Sequence, residues 1–302
     1  MPNEPGGAVV GATGPVVVVG AAGQLGQAVV RTLGRRWPVT PLTRADLDVT
    51  RAADVRATIA AIAPRAVINC AGFNHVDRAE DEASLAFEVN GIAVRTLARA
   101  AADAGAALVH YSSDFVFDGE TDRPYRETDR PQPQSVYAAS KLVGEWFAMD
   151  APVHYVLRVE SLFGGVDKQS SSFDKIVGAV AAGGPVRVFV DRVVSPSYVW
   201  DVAEATARLL ETGAAPGIYH CVNSGHATWQ GVAEEVVRQL GVAAVLEPIR
   251  LEDVKLPAAR PRYCALANDK LKAAGIDMPA WQDALGRYLA SRDGGAGAGA
   301  RD

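Results

Sequence analysis

Cysteine is scarce in this chain of 302 residues: Cys70, Cys221 and Cys264 lie far apart and form no CxxC pair. That spacing argues against a disulfide framework and against a cysteine zinc site. The five histidines make neither HxH nor HExxH, so no metal site is expected. Positive charge is not in surplus. Thirty Lys+Arg face 35 Asp+Glu for a formal charge of −5, which leaves no electrostatic footprint for nucleic acid. Long hydrophobic runs are missing too. The first, Val16 to Val19, spans four residues, and the start lacks the basic stretch of an export signal. A soluble cytoplasmic protein with reduced thiols and no membrane partner is the expectation. No repeat at a fixed period and no charge block occurs. Residues 1–14 and 291–302, rich in Gly and Ala, read as flexible ends.

What remains is ordinary globular material, 49% hydrophobic and 22% charged, long enough to bury a full core. Short β-branched runs alternate with amphipathic Ala-rich stretches through the first half. Strands are predicted at 16–20, 39–42, 65–72, 107–113 and 154–159. Helices are predicted at 24–33 (capped by Gly34), 52–62, 79–105 and 137–147. Such alternation predicts an α/β fold, a doubly wound parallel sheet of the Rossmann type. After residue 160 the pattern turns irregular: a Gly/Ser loop (GGVDKQSSS), a short strand at 186–190, and helices near 201–212 and 228–240. This organisation suggests a dinucleotide-binding domain over 15–157, to which parts of 195–220 return, and a smaller substrate-binding domain over 158–290.

Between the first strand and first helix, Gly20-Ala21-Ala22-Gly23-Gln24-Leu25-Gly26 gives GxxGxxG. Gly20 permits the tight turn, Gly23 lets the backbone approach a pyrophosphate, and Gly26 lets helix and strand pack closely. A tight strand-to-helix turn alone would also use these glycines, but their place in the first βαβ unit points to a dinucleotide. The second strand ends in Leu42-Thr43-Arg44, without the acid that an NAD site usually carries there. Arg44 could meet a 2′-phosphate or be a solvated surface charge. NADPH is therefore the expected cofactor, with NADH as the alternative. Asp48 is placed to approach the adenine edge, or to start the helix that follows.

Tyr137-Ala138-Ala139-Ser140-Lys141 places YxxxK on a predicted helix, and Ser113 ends the fourth strand. The i, i+4 spacing puts phenol and ammonium on one face. A neighbouring cation is expected to lower the phenol's pKa from ~10, making Tyr137 a proton donor and acceptor near neutrality. Ser113 could hydrogen-bond the reacting oxygen.

With GAAGQLG, RADLDVT, VINCAG followed by VDRAEDE, AFEVN, HYSSDFVFDG, the stretch from PYRETD to SKLVGE, IYHCVNSG and ARPRYCALANDKL, the chain resembles the extended short-chain dehydrogenase/reductases over about residues 15–290. Among them it is similar to the dTDP-4-dehydrorhamnose reductase family. The resemblance implies NAD(P)H-dependent reduction of the 4-keto group of a nucleotide-linked deoxysugar, with Ser113, Tyr137 and Lys141 as catalytic residues. It places Cys70, Ala71 and Gly72 beside Gly20, Gly23, Gln24, Leu25, Gly26, Arg44 and Asp48 in the cofactor site. It also places Val76, Asp114, Ser161, Arg192 and Arg260 at the substrate, with Arg260 a candidate diphosphate clamp. A homodimer is among the expectations.

Related dehydratases carry an Asp-Glu pair after the triad hydroxyl; here Phe115 follows Asp114, which favours reduction. Another sugar-nucleotide reductase or an epimerase, or a non-catalytic NADP-binding regulatory subunit, are the alternatives. The family's RTSW strand reads Arg158-Val159-Glu160-Ser161 here, and its loop near Asp-Gln-x-Gly-x-Pro-Thr reads Asp191-Arg192-Val193-Val194-Ser195-Pro196-Ser197. A larger or more polar sugar subsite is expected, unless Phe163 or Trp200 replaces the missing indole. Glu160 and Arg192 are candidate partners in an ion pair joining the two domains.

Overall fold

The computed structural model describes residues 14–165 and 171–294. Residues 1–13, 166–170 and 295–302, which hold most of the two expected flexible ends and part of the Gly/Ser loop, lie outside them. The first half runs β1 (Val16–Val19), α1 (Gln24–Leu33), β2 (Val39–Leu42), α2 (Ala52–Ile62), β3 (Ala66–Asn69), α3 (Arg78–Asp81), α4 (Ala83–Phe87), α5 (Ala93–Asp103), β4 (Ala107–Ser113), α6 (Val136–Ala148) and β5 (His154–Val159). The second half runs β6 (Leu162–Phe163), α7 (Ser172–Ala181), β7 (Val186–Phe189), β8 (Val193–Val194), β9 (Ser197–Tyr198), α8 (Val199–Thr212), β10 (Gly217–His220), β11 (Ala227–Thr228), α9 (Trp229–Leu240), β12 (Leu246–Ile249), α10 (Asp269–Ala273) and α11 (Trp281–Gly294).

Six strands form one sheet in the order β10-β5-β4-β3-β1-β2, every pair parallel. Strands covered on both faces should be continuous apolar runs, and β1, β3 and β4 are buried along their whole length. Pro41 sits in β2, where an edge strand tolerates the missing N–H. One face of the sheet is closed by α1 and α8, whose Val29, Leu33, Val202 and Leu209 share a core with Val16, Ile68 and Leu157. The other is closed by α2 and α5 through Val55, Ile59, Val94 and Leu97 against Val17 and Leu108. The strand order reverses between β1 and β3, so their carboxyl ends open the crevice where ligands bind in such sheets.

Residues 199–220 return to this sheet as α8 and β10, while α7, α9, α11 and the paired β7 and β12 make a second lobe. Its core is aromatic: Phe163 stacks on Phe173 at 4.0 Å between centroids, with Tyr198 and Tyr288 alongside. The two lobes are tied at Gly119, where a Cβ would come within 2.6 Å of Pro261.

Three local features depart from the sequence reading. The helix expected over 79–105 is broken at Glu82, and Glu88–Ile92 forms a π-helical turn. That turn buries Asn90, whose amide nitrogen donates to the Phe73 carbonyl and to Ser140 Oγ while its oxygen accepts from Phe73 N. Gly34 follows α1 in right-handed helical geometry at φ −62°, so its freedom is not what ends that helix. At the other end, α11 carries on to Gly294, past the boundary expected at 290.

Candidate active site

Gly20 has φ +77°, and a Cβ there would stand 2.6 Å from Ala71 N; at Gly26 it would stand 2.3 Å from Gly20 O. The protein's own packing demands glycine at both. Gly23 differs: its φ is −71° and an added Cβ would make only an ordinary 3.4 Å contact with Gly20 O. Nothing in the fold requires glycine there, yet it is the residue that opens α1, just before Gln24 and the buried Leu25. That is the position at which the backbone approaches a pyrophosphate in Rossmann turns. The close approach of Gly20 to Ala71 also brings Cys70, Ala71 and Gly72 to the same turn.

Arg44 is exposed after β2 and shares a cavity of about 510 Å³ with Asp48, Arg51 and Thr58. Asp48 accepts from Thr50 N (3.0 Å) and Thr50 Oγ1 (2.8 Å), which hold its carboxyl below the usual range. Asp48 does not cap the helix that follows: α2 has Arg51 at its N-cap and no side-chain cap, and Asp48 instead fastens the turn at Thr50.

Ser113 ends β4, and Ser135 starts α6 by accepting from Ala138 N at 3.2 Å, so Tyr137 and Lys141 project from its first two turns. Tyr137 is buried, with the Phe115 ring edge-on at 5.8 Å and the Ser113 hydroxyl placed to hydrogen-bond its oxygen. Lys141 Nζ donates to the Tyr111 carbonyl at 2.5 Å, and burial pushes its pKa down to about 8. The expected lowering of the phenol does not occur. Burial, assisted by the negative charge of Asp114, pushes Tyr137 up to about 12, although the Ser113 hydroxyl beside it favours the phenolate. Desolvation outweighs a cation that is turned to a carbonyl. The phenol therefore keeps its proton at neutral pH, the form that an acid needs to protonate a developing alkoxide.

Beyond the triad the two lobes meet. Ser113 Oγ donates to Asp114 Oδ1 at 2.8 Å. Asp114, Glu160 and Cys264 are all buried, with one carboxylate oxygen from each acid and the thiol sulfur within 4.8 Å of one another. Burial raises both acids, Asp114 to about 6, and the charge of Asp114 further opposes ionisation of Glu160. Ser161 stands at φ +43°, and its hydroxyl turns to Glu160 Oε1 at 3.0 Å; Glu160 Oε2 accepts from Ser195 N. Arg192 is not within ion-pair distance of Glu160. Its Nε donates to the Pro261 carbonyl at 3.3 Å and its Nη2 lies 3.9 Å from Cys264 Sγ, because the 260–264 segment wedges beside it. Arg260 pairs with Asp77 at 2.9 Å, which brings the second lobe to the loop that carries Val76 beside Tyr137. The two aromatic candidates for the indole's place have other partners. Phe163 is sealed in the second core, and Trp200 Nε1 is held by the Gly164 carbonyl at 3.1 Å.

The sequence reading missed three supports. Asn90 fixes the loop after β3 to α6, and AFEVN held the only hint. Asp77, in VDRAEDE, is the partner of Arg260. Glu145 on α6 and Arg158 on β5 form a bidentate pair at 2.8 and 2.7 Å, each 1% exposed, with Ser112 Oγ donating to the same carboxylate. An i+4 step from Lys141 to Glu145 was the available signal, since it puts an acid on the same face.

The family model described as "RmlD substrate binding domain" matches residues 14–293. A dTDP-4-dehydrorhamnose reductase of Streptomyces griseus is 37% identical over 290 residues, covering 93% of this chain and 95% of that protein. A dTDP-4-keto-6-deoxy-D-glucose reductase of Streptomyces niveus is 34% identical over 89% of this chain and 94% of its own length. Among solved structures, the dTDP-4-dehydrorhamnose reductase of Bacillus anthracis in complex with NADP superposes with a TM-score of 0.87 at 30% identity, over 92% of this chain and 99% of that one. A glycine turn at the β1 carboxyl end, a Ser-Tyr-Lys group and a match spanning nearly every described residue leave one conclusion: the chain belongs to the RmlD family, that of the dTDP-4-dehydrorhamnose reductases.

Proposed function

We propose that this protein is an NADPH-dependent reductase of the 4-keto group of a nucleotide-linked deoxysugar, working through Ser113, Tyr137 and Lys141. The observation that carries the reading is the buried phenol of Tyr137, edge-on to Phe115 beside the β4 end that carries Ser113 and one turn from Lys141. NADPH, when bound at Gly20–Gly26, Cys70–Gly72 and Arg44, supplies the hydride. Ser113 orients the substrate carbonyl, Tyr137 gives its proton to the carbonyl oxygen, and Lys141 supports the tyrosine and the ribose side of the site. Val76, Asp114, Ser161, Arg192 and Arg260 face the sugar nucleotide. Residues 15–157 with parts of 195–220 form the cofactor unit and 158–290 the substrate unit.

The same reading puts the enzyme in the cytoplasm, in keeping with three cysteines that are all free. No helix among the described residues is long and apolar enough to cross a membrane. It also makes the protein a homodimer. Leu85 and Ile92 beside α6, with Trp146 and Met149 at its end, are exposed apolar side chains that a second copy would cover.

The test follows NADPH oxidation with dTDP-4-dehydrorhamnose beside other 4-keto nucleotide sugars. The wild type should turn over at least one of them. Tyr137→Phe should lose ~10² to 10⁴ in rate while still binding NADPH. Cofactor binding without turnover of any of them, together with copurification of a second chain, would favour a regulatory subunit instead.

A further inference from the structure

Asp114 and Glu160 bury two carboxyls within 4.8 Å of each other and of Cys264, a costly arrangement. Around the pair stand Ser113 on β4, Tyr137 on α6, Ser161 after β5, Arg192 and Ser195 before β9, and Cys264. Only Arg192 among them is a cation, so one positive charge faces two carboxyls. Charge balance in a dry site is reached when the pair keeps a single proton, and such a pair titrates as a unit. Glu160 has a donor at each oxygen. Asp114 Oδ2 is buried with no hydrogen-bond partner, although its residue is only 4% exposed.

The consequence falls on Ser113. A serine hydroxyl has one proton to give. In the structure that proton goes to Asp114 Oδ1 at 2.8 Å, while the oxygen accepts from Phe115 N at 3.2 Å. Held this way, Ser113 cannot donate to a substrate carbonyl. When Asp114 carries the shared proton, the bond reverses: Asp114 donates to Ser113 Oγ, and the Ser113 proton is freed for the substrate oxygen. We propose that Glu160 is a positioning residue which, by sharing one proton with Asp114, lets Asp114 turn the Ser113 hydroxyl from its resting acceptor toward the substrate carbonyl.

This rests on the reductase reading, so the test has one arm that needs turnover and one that does not. In the first arm, kcat for the best 4-keto substrate is measured against pH. The wild type should lose kcat as pH rises through the titration of the pair. In Glu160→Gln, Asp114 is left alone beside Arg192, and the falling limb should move to lower pH, costing about tenfold in kcat at neutrality for each pH unit it moves. KM should change much less than kcat, and Glu160→Asp should return the limb toward its wild-type place. In the second arm, the infrared carbonyl band of a protonated carboxyl group, recorded without substrate, should be present in the wild type at neutral pH and absent from a folded Glu160→Gln. An unchanged pH limb in Glu160→Gln overturns the proposal. So does absence of the band from the wild type, or a stoichiometric divalent ion bound by the wild type and lost in the variant. Absence of turnover with a normal band would instead sink the reductase reading and leave the shared proton standing.

Discussion

Replacing Lys141 by Met should make the protein more stable and inactive at once. The ammonium is 4% exposed, and burial lowers its pKa from 10.5 to about 8. At about 1.4 kcal/mol for each pH unit, carrying the charge into the folded state costs about 3 kcal/mol. Against this stands the hydrogen bond to the Tyr111 carbonyl, about 1 kcal/mol net. Met fills the same channel without the charge, so at pH 7 the variant should gain about 2 kcal/mol. The pH dependence identifies the cause. Below pH 8 both folded and unfolded chains hold the proton and the full penalty applies. Between pH 8 and 10.5 the unfolded chain holds it and the folded one does not, so the wild type gains stability as pH rises. The advantage of the variant should therefore shrink across that window and be gone above it. Urea unfolding followed by circular dichroism at pH 7, 9 and 10.5 measures this. A variant that is less stable than the wild type by a constant amount at all three values would refute the argument from burial.

Two further outcomes separate packing from binding. Gly26→Ala forces a Cβ to within 2.3 Å of a backbone oxygen and should lower the melting temperature, whereas Gly23→Ala, with a 3.4 Å contact, should melt like the wild type yet bind NADPH at least tenfold more weakly in calorimetry. Arg44→Ala should weaken NADPH several-fold and leave NADH unchanged, since only NADPH brings a 2′-phosphate to an exposed guanidinium; equal weakening of both would sink the assignment.

The cofactor half was legible because its information is local. Val16–Val19 is a run that only a doubly covered strand would use, and Gly26 answers a contact with Gly20 in the same turn, while Gly20 itself meets Ala71 beyond β3. The π-turn was not legible. Glu88–Ile92 has ordinary helical composition, and what unwinds it is the pull on Asn90 from Phe73 and Ser140, 17 and 50 residues away. The phenol's pKa was misjudged for a similar reason. Spacing reveals that Lys141 is near Tyr137, but not that its ammonium is spent on a carbonyl, nor that Asp114 stands on the other side.

The substrate end is assembled from positions 114, 160–161, 192–195 and 260–264, so no periodicity within any one stretch reveals it. Opposite charges on two of these stretches suggested a Glu160–Arg192 pair, and the structure instead gives each a backbone partner. Ser161 shows why the change of side chain there need not change the path of the chain. At φ +43° it occupies a region that residues other than glycine and asparagine pay to enter. The fold holds it there from both sides: Ser197 N donates to its carbonyl at 3.3 Å, and its own hydroxyl is anchored on Glu160. With the backbone fixed by neighbours, exchanging an indole for a hydroxymethyl group removes apolar wall worth ~25 cal/mol per Å² and leaves the frame in place. On the proposed function, the subsite beside Ser161 would then suit a polar substituent on the sugar, or a different presentation of it, without any shift of Tyr137 and Lys141 on α6.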